Sequence, residues 1–502
     1  MKFWQSHLTV EIAVAKGNSD KNPKLSLPIG KAPGEISLYP KFEVTKPSMD
    51  KKLLHKYNVP GPRYTSYPTV PYWDDETFTI AHWRQILRRT FAHTNKNQGL
   101  GLYIHMPYCE NLCTYCGCNK RITKNHEVET PYIDALLKEW GLYRSLLDDT
   151  PRVKELHIGG GTPTFFSPQN LARLIESLLR DVSVTEPHEF AFEANPNFTT
   201  RQHLETMFRL GFRRLSLGVE DFDPKVQEII NRIQPFKQVS LITNHARDIG
   251  YSSLNFDLVY GLPLQRKESI IHTIRNVNKL RPDRVAFYSY AHVPWIKGVG
   301  QRKFSEKDLP TGPQKRALYE LGRKMLEETG YREIGMDHFA LPHDDLYQAS
   351  MEGRLHRNFM GYTPVHTLLF LGLGVSSISD GWHGFAQNDK TIENYVDRIA
   401  GEELPVLRGH ILDQEDLVLR RHILNIMCRF ETSWKQEEER HSSLYKGLAR
   451  MKEVEADGLV IIGNDHLRVT EEGRPFLRNI CMALDAKLWR NEPATQIFSQ
   501  TI

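Results

Sequence analysis

The sequence predicts an α/β protein: a partly open (β/α)6 barrel with an additional, mainly helical C-terminal domain. Three observations point there. From Gly99 onward, six short apolar segments each run into a stretch of helical periodicity. Each apolar segment ends in small or polar residues. Past residue 400 the alternation stops, and amphipathic helical patterns with one short hairpin replace it.

The elements follow in order. Residues 1–48 carry scattered Gly, Pro, Lys and Ser and are expected to form a weakly ordered extension, with Met49 an alternative start. Residues 49–98 open on a helical signal, run through Pro60-Gly61-Pro62 and are expected to pack on the barrel as a leader. Residues 99–400 should form the barrel domain, with strands at 100–106, 153–158, 190–192, 215–219, 254–260 and 285–290. Helical stretches at 127–147, 168–179, 204–210, 226–230 with 239–249, 268–280 and 314–329 follow them. Strands joined by crossover helices lie parallel. Six units are fewer than the eight that close a full barrel, and their C-terminal ends share the face that holds the site in such folds. Residues 401–502 should add helices at 413–427 and 442–455, a hairpin around Gly463-Asn464-Asp465 and a last helix from 471. Covering the barrel mouth is the simplest role for that domain.

Bulk composition excludes several classes. Hydrophobic residues make up 40% of the 502 and charged residues 25%, ordinary for a globular chain. The net charge of +4 comes without a concentrated basic stripe, so no nucleic-acid partner is expected. No apolar run approaches the roughly eighteen residues of a bilayer span. Gln5, Ser6, His7 and Glu11 interrupt the N-terminus and spoil a signal peptide, so a cytoplasmic protein is expected, acting as a monomer.

Six cysteines in 502 residues are too few for a disulfide framework. Cys428 and Cys481 stand alone and read as buried free thiols, whereas Cys109, Cys113, Cys116 and Cys118 crowd one polar loop after the first strand. The spacing Cys109-x3-Cys113-x2-Cys116 suits three irons of a cubane, leaving the fourth iron without a protein ligand. A structural zinc is the competing reading, but zinc sites complete four ligands and no second C-x2-C occurs. Cys118 is expected to stay off the metal.

The C-x3-C-x2-C signature resembles that of the radical S-adenosylmethionine superfamily. The longer string from Tyr103-Ile104-His105-Met106-Pro107-Tyr108 through the four cysteines is similar to the oxygen-independent coproporphyrinogen III oxidases. So are Gly61-Pro62-Arg63-Tyr64-Thr65-Ser66-Tyr67-Pro68, Gly159-Gly160-Gly161-Thr162-Pro163-Thr164, Asn231-Arg232 and Asp257-Leu258-Val259-Tyr260-Gly261-Leu262-Pro263. Gly335-Met336-Asp337-His338-Phe339, His356-Arg357-Asn358-Phe359 and Arg478-Asn479-Ile480-Cys481-Met482 continue the likeness, which covers about residues 50–500.

The resemblance implies a [4Fe–4S] cluster on Cys109, Cys113 and Cys116 and two molecules of S-adenosylmethionine. Tyr103, Gly160, Glu193 and Ile378 would contact the cluster-bound molecule; Tyr115, Gly161, Thr162, Arg232, Asp257 and Ala291 would contact the second. Glycines allow close backbone approach and would leave their amides free for a carboxylate. Glu193 could pair with an ammonium group, Arg232 with a carboxylate, and Asp257 with ribose hydroxyls. The implied reaction turns two propionates of coproporphyrinogen III into vinyl groups through a 5′-deoxyadenosyl radical, with an unidentified electron donor and acceptor. Arg63, Tyr64 and Arg357 are candidate carboxylate partners.

Two departures stand out. Glu220 occupies a second-cofactor position where glutamine is expected, and Pro364 to Leu369 follow Gly361-Tyr362-Thr363 where some members of the family carry a Gly-Asp pair. A haem chaperone on the same scaffold and a radical methyltransferase or cyclopropanase are the alternatives. The Arg63-Tyr64-Thr65 leader and Cys118 favour the oxidase over the chaperone.

Overall fold

Six parallel strands lie where the apolar segments predict them: β1 (Leu100–Met106), β2 (Arg152–Gly160), β3 (Ser183–Ala194), β4 (Arg214–Glu220), β5 (Ser253–Tyr260) and β6 (Arg284–Ser289), side by side in chain order. The structure is a computed structural model that describes residues 51–74, 76–294, 301, 303–491, 493 and 495–501; the extension expected at 1–48 lies outside them. Crossover helices α1 (Glu129–Arg144), α2 (Pro168–Leu179), α3 (Arg201–Arg209), α4 (Phe236–Ile249) and α5 (Lys267–Leu280) join the strands, and α6 (Gly312–Glu328) follows β6.

Local chemistry explains these elements. In α2, Leu171, Leu174, Ile175 and Leu178 fall on one buried stripe, Ser167 caps the Asn170 amide, and Pro168 occupies the first turn. Helix α4 stops at Gly250, whose φ of 111° suits a left-handed C-cap. The core between sheet and helices takes Leu102, Ile104, Leu156, Ile158, Phe192, Leu217 and Leu258 from the strands. Strands covered on both faces read as the near-continuous apolar runs that marked them.

The sheet extends past the barrel on both sides to twelve strands. Beyond β6 lie β7 (Arg332–Gly335) and β8 (His338–Ala340), with β8 antiparallel to β6. On the other flank β9 (Phe370–Leu373) pairs in parallel with β1, followed by antiparallel β10 (Ile378–Asp380), β11 (Gly384–Asn388) and β12 (Val406–Ile411). The sequence predicts no strand between 330 and 400. Most of these strands are short and follow one another without crossover helices, so neither period two nor a helix marks them.

A second core joins Tyr57, Tyr64 and Tyr67 of the leader to helices α7 (Gln414–Arg429), α8 (Ser442–Ala456) and α9 (Leu477–Leu484). The hairpin expected around Gly463-Asn464-Asp465 is present, and Glu431–Ser433 adds a third strand to it. Arg478 of α9 donates to the carbonyls of Gly61 and Pro62, while Arg63 Nη2 donates to Ser289 O at the end of β6 (3.0 Å). At β6, therefore, the leader itself reaches the strand end, and the C-terminal helix sits behind it. This refines the expectation that the C-terminal domain covers the mouth. No helix among the described residues is long and apolar enough to cross a membrane.

Candidate active site

The cysteine loop leaves β1 and is pinned at both ends. Its closing residues pair with its opening ones, Arg121 N donating to Pro107 O (2.8 Å) and Thr123 N to Cys109 O (3.0 Å). Midway, Thr114 N donates to Ile230 O (2.9 Å) and Asn231 Nδ2 to Leu112 O (2.7 Å), tying the loop to the turn after β4. The end of β2 presses from below: Gly161 N donates to Met106 O (2.8 Å) and Thr162 N to Tyr108 O (3.0 Å). Between these walls lies a cavity of about 240 Å³ whose lining includes Cys109, Cys113, Cys116, Tyr115, Gly161, Thr162 and Arg232.

Of the residues expected around the cluster-bound cofactor, Tyr103, Gly160 and Glu193 lie on β1, β2 and β3, and Ile378 on β10. Tyr103 places its hydroxyl 3.2 Å from His105 Nδ1 and stacks on His157. Glu193 accepts from Gly160 N (3.2 Å) and lies 3.2 Å from His157 Nε2. Gly160, at φ 114°, leaves room for nothing larger, because a Cβ there would fall 2.7 Å from the His105 ring. Ile378 packs beside Trp73, Phe385 and Leu412, and its backbone abuts Gly372, the register partner of Tyr103.

The second group comes from β5, from the segments just past β2 and β6, from the turn that carries Arg232 and from the cysteine loop. Arg232 Nη2 donates to Gly218 O (2.6 Å) and sits 3.5 Å from Glu220 Oε1, while Nη1 reaches Cys113 Sγ at 3.6 Å. Asp257 accepts from Ser216 Oγ (2.7 Å) and Asn255 Nδ2 (2.9 Å). Ala291 offers its carbonyl to Gln301 Nε2 (3.0 Å), which also donates to Tyr115 O (2.8 Å). Thr162 Oγ1 lies 3.3 Å from Cys109 Sγ.

Several of these residues already have partners within the protein. The amides of Gly160 and Gly161 are not free for a ligand carboxylate; Glu193 and Met106 O take them. Among the candidate substrate partners, Tyr64 is buried with its hydroxyl on Asp485 Oδ2 (3.0 Å), and Arg63 pairs with Asp337 (3.0 Å). Arg232, read as a carboxylate partner for a ligand, already has Glu220.

Burial and like charges raise the carboxylates in the barrel. Asp257 is pushed up to about 7, first by burial and then by the nearby Glu220. Burial also raises Glu220, and Arg232 opposes it. On the loop, burial pushes the Cys109 thiol up to about 11, while the hydrogen bond with Cys118 draws Cys116 down.

The thiols suit a polynuclear group better than one ion. Ligands of a tetrahedral zinc thiolate stand about 3.8 Å apart, from Zn–S bonds of about 2.3 Å. Among the described residues only Asp413, Glu415 and Asp416 bring three ligating atoms within 4.8 Å of one another; the three cysteines are set wider. Three sulfurs spread around one cavity suit a cubane with one iron left open, Cys118 standing beside Cys116 as a neighbouring thiol rather than a cavity-lining one.

Sequence inspection missed several contributors. Ser216 and Asn255 orient Asp257, and His105 and His157 brace Tyr103 and Glu193. Their signal was available: they alternate with apolar residues on strands otherwise buried. Gln301 clasps two loops across 186 residues of sequence, and no local pattern marks it.

The radical SAM superfamily model matches residues 103–277. The chain is 38% identical to the oxygen-independent coproporphyrinogen III oxidase of Salmonella typhimurium, over 90% of this chain and 98% of that protein. It is equally identical to the enzyme of that name from Helicobacter pylori, over 91% of this chain and 100% of that protein. The solved structure of coproporphyrinogen III oxidase from Escherichia coli, described as a radical SAM enzyme, superposes with a TM-score of 0.80 at 36% identity, covering 87% of this chain and 98% of that one. The cysteine loop, the carboxylate-bearing strands and this end-spanning likeness agree: the chain belongs to the oxygen-independent coproporphyrinogen III oxidase family of radical SAM enzymes.

Proposed function

We propose that the chain oxidatively decarboxylates two propionate side chains of coproporphyrinogen III to vinyl groups, giving protoporphyrinogen IX in haem biosynthesis. The observation that carries this reading is the cavity where Cys109, Cys113 and Cys116 face Gly161, Thr162 and Arg232. When bound there, a [4Fe–4S] cluster and S-adenosylmethionine supply the one-electron chemistry that removes a hydrogen atom from an unactivated carbon.

The protein's own part is holding and orienting. Cys109, Cys113 and Cys116 would hold the cluster, with Thr162 beside the first thiol and Arg232 beside the second. Glu193, steadied by Gly160 N and His157, presents a carboxylate suited to an ammonium group. Asp257, fixed by Ser216 and Asn255, presents another suited to hydroxyl donors at the second cofactor position, where Tyr115, Glu220, Arg232 and Ala291 also converge. Each turnover releases carbon dioxide, and an electron acceptor takes up the remaining electron. A cytoplasmic, monomeric enzyme served by a separate electron donor is the arrangement we propose; its free cysteines suit a reducing compartment.

The test is one anaerobic incubation of reconstituted protein with reductant, S-adenosylmethionine and coproporphyrinogen III. Protoporphyrinogen IX is the expected product. Cofactor cleavage with no vinyl product would point to a methyltransferase, and stable haem binding with no cleavage to a chaperone.

A further inference from the structure

We propose that Arg357 is the receptor for a substrate carboxylate, specifically a propionate that survives the reaction. This inference rests on the oxidase reading and narrows three candidate partners to one.

The basic groups near the end of β6 are mostly spent. Arg63 divides its guanidinium between Asp337 Oδ2 and Ser289 O, both at 3.0 Å. Arg478 puts Nε on Pro62 O (2.9 Å), Nη1 on Gln500 O (2.8 Å) and Nη2 on Gly61 O. Lys315 donates to Tyr290 O (2.9 Å). Arg357 differs. It is 5% exposed, yet Nε and Nη1 have no hydrogen-bond partner and no carboxylate pairs with it among the described residues. Its one bond is a long one, Nη2 to Arg63 O at 3.4 Å, and its guanidinium lies 4.6 Å from the centre of the Tyr362 ring.

A guanidinium presents two edges to carboxylates, Nη1 with Nη2 and Nε with Nη2. On Arg357 each edge lacks a bond. A buried cation in that condition is costly unless an anion completes it.

The surroundings reinforce the sign. His338, in the shell around Arg357, is pushed down to about 3 by burial and then by Arg357 and three further arginines. Lys315 is brought down to about 7 by burial, with Arg63 and Arg478 adding to the effect. Asp337, the nearby carboxylate, is already held by Arg63. The site also adjoins the barrel: the Tyr288 hydroxyl of β6 lies 3.4 Å from His338 Nε2, and the His338 ring packs on Tyr362, the ring that Arg357 covers. A tetracarboxylate has two propionates to lose and two to keep; Arg357 touches Arg63 and Tyr362 and does not line the cysteine cavity, so a propionate held there is one the reaction keeps.

The test uses reconstituted holoenzyme, coproporphyrinogen III and its analogue with the two surviving propionates converted to amides. In the unmodified enzyme, amidation should raise KM about tenfold or more, the loss of a charge-assisted pair. R357Q should show the raised KM with the acid substrate, keep its iron content, and be indifferent to amidation. R357K should restore part of the discrimination, and serves as the second variant should R357Q fold poorly. If unmodified enzyme ignores amidation, or a folded variant stays as sensitive to it as the parent, Arg357 is not the receptor although the oxidase reading stands. Absence of protoporphyrinogen IX from the unmodified enzyme would remove both.

Discussion

Arg232 and Glu220 form a buried pair, Nη2 3.5 Å from Oε1, and the same guanidinium turns Nη1 toward Cys113 Sγ at 3.6 Å. One cation thus serves a carboxylate at the end of β4 and a thiol on the loop after β1. Arg232→Met should strand Glu220 without a counter-charge and lower stability by about 3–5 kcal/mol. Adding Glu220→Gln should recover most of the loss, because the buried charge goes too. Denaturant midpoints of parent, single and double variants check it.

The thiols divide by role. Cys109→Ala, Cys113→Ala and Cys116→Ala should each abolish cluster binding, whereas Cys118→Ala should keep its iron. Iron and sulfide content after anaerobic reconstitution decides; a full cluster in any of the first three variants would refute the ligand assignment.

Gly160→Ala tests the close approach of β2 to β1. The added Cβ would meet the His105 ring at 2.7 Å on a backbone with φ 114°, and His105 is tethered to Asn119 O (3.0 Å) and Tyr103. A loss of about 2 kcal/mol or more is expected. Gly141→Ala in α1 is the control: open space surrounds it, and helix propensity should make it neutral or stabilising by up to about 1 kcal/mol. Thermal unfolding of the two variants should separate them clearly.

Glu139 predicts a pH dependence away from the cofactors. It is fully buried and accepts from Tyr395 Oη (2.6 Å), Asn388 Nδ2 (2.7 Å) and Gly374 N (2.8 Å). Burial, only partly opposed by these bonds, pushes it up to about 7 from 4.5. A raised carboxyl retains its proton in the folded protein after the unfolded chain has lost it. Its contribution is therefore full below pH of about 4.5 and falls as pH rises through 7, by on the order of 3 kcal/mol. Glu139→Gln should lack this slope, read from urea unfolding between pH 5 and pH 8.

How much was legible beforehand depended on how local each signal is. Strand β1 and helix α2 were readable to the residue because apolar run, stripe, cap and Pro168 all lie within the element. Glu193, one residue from the end of β3, and Asp257 in the later half of β5 are polar positions on otherwise apolar strands, a local pattern that marks them in the sequence. Strands β7 to β11 were not, being three to five residues long and stabilised by neighbours distant in sequence. Arg357 meets Arg63 across 294 residues, and only the fold reveals that Arg63 has an acid partner while Arg357 has none among the described residues.

The leader also depends on very late residues: Gly61 N donates to Ser499 O (3.1 Å), and Thr501 N to Val59 O (2.9 Å). During synthesis the six barrel strands can emerge and pair while this lock is still missing its second half. Fastening of the wall beside β6 must then wait until residue 501 has emerged, so a barrel synthesised only through its six strands keeps a looser rim than one whose chain has reached that residue.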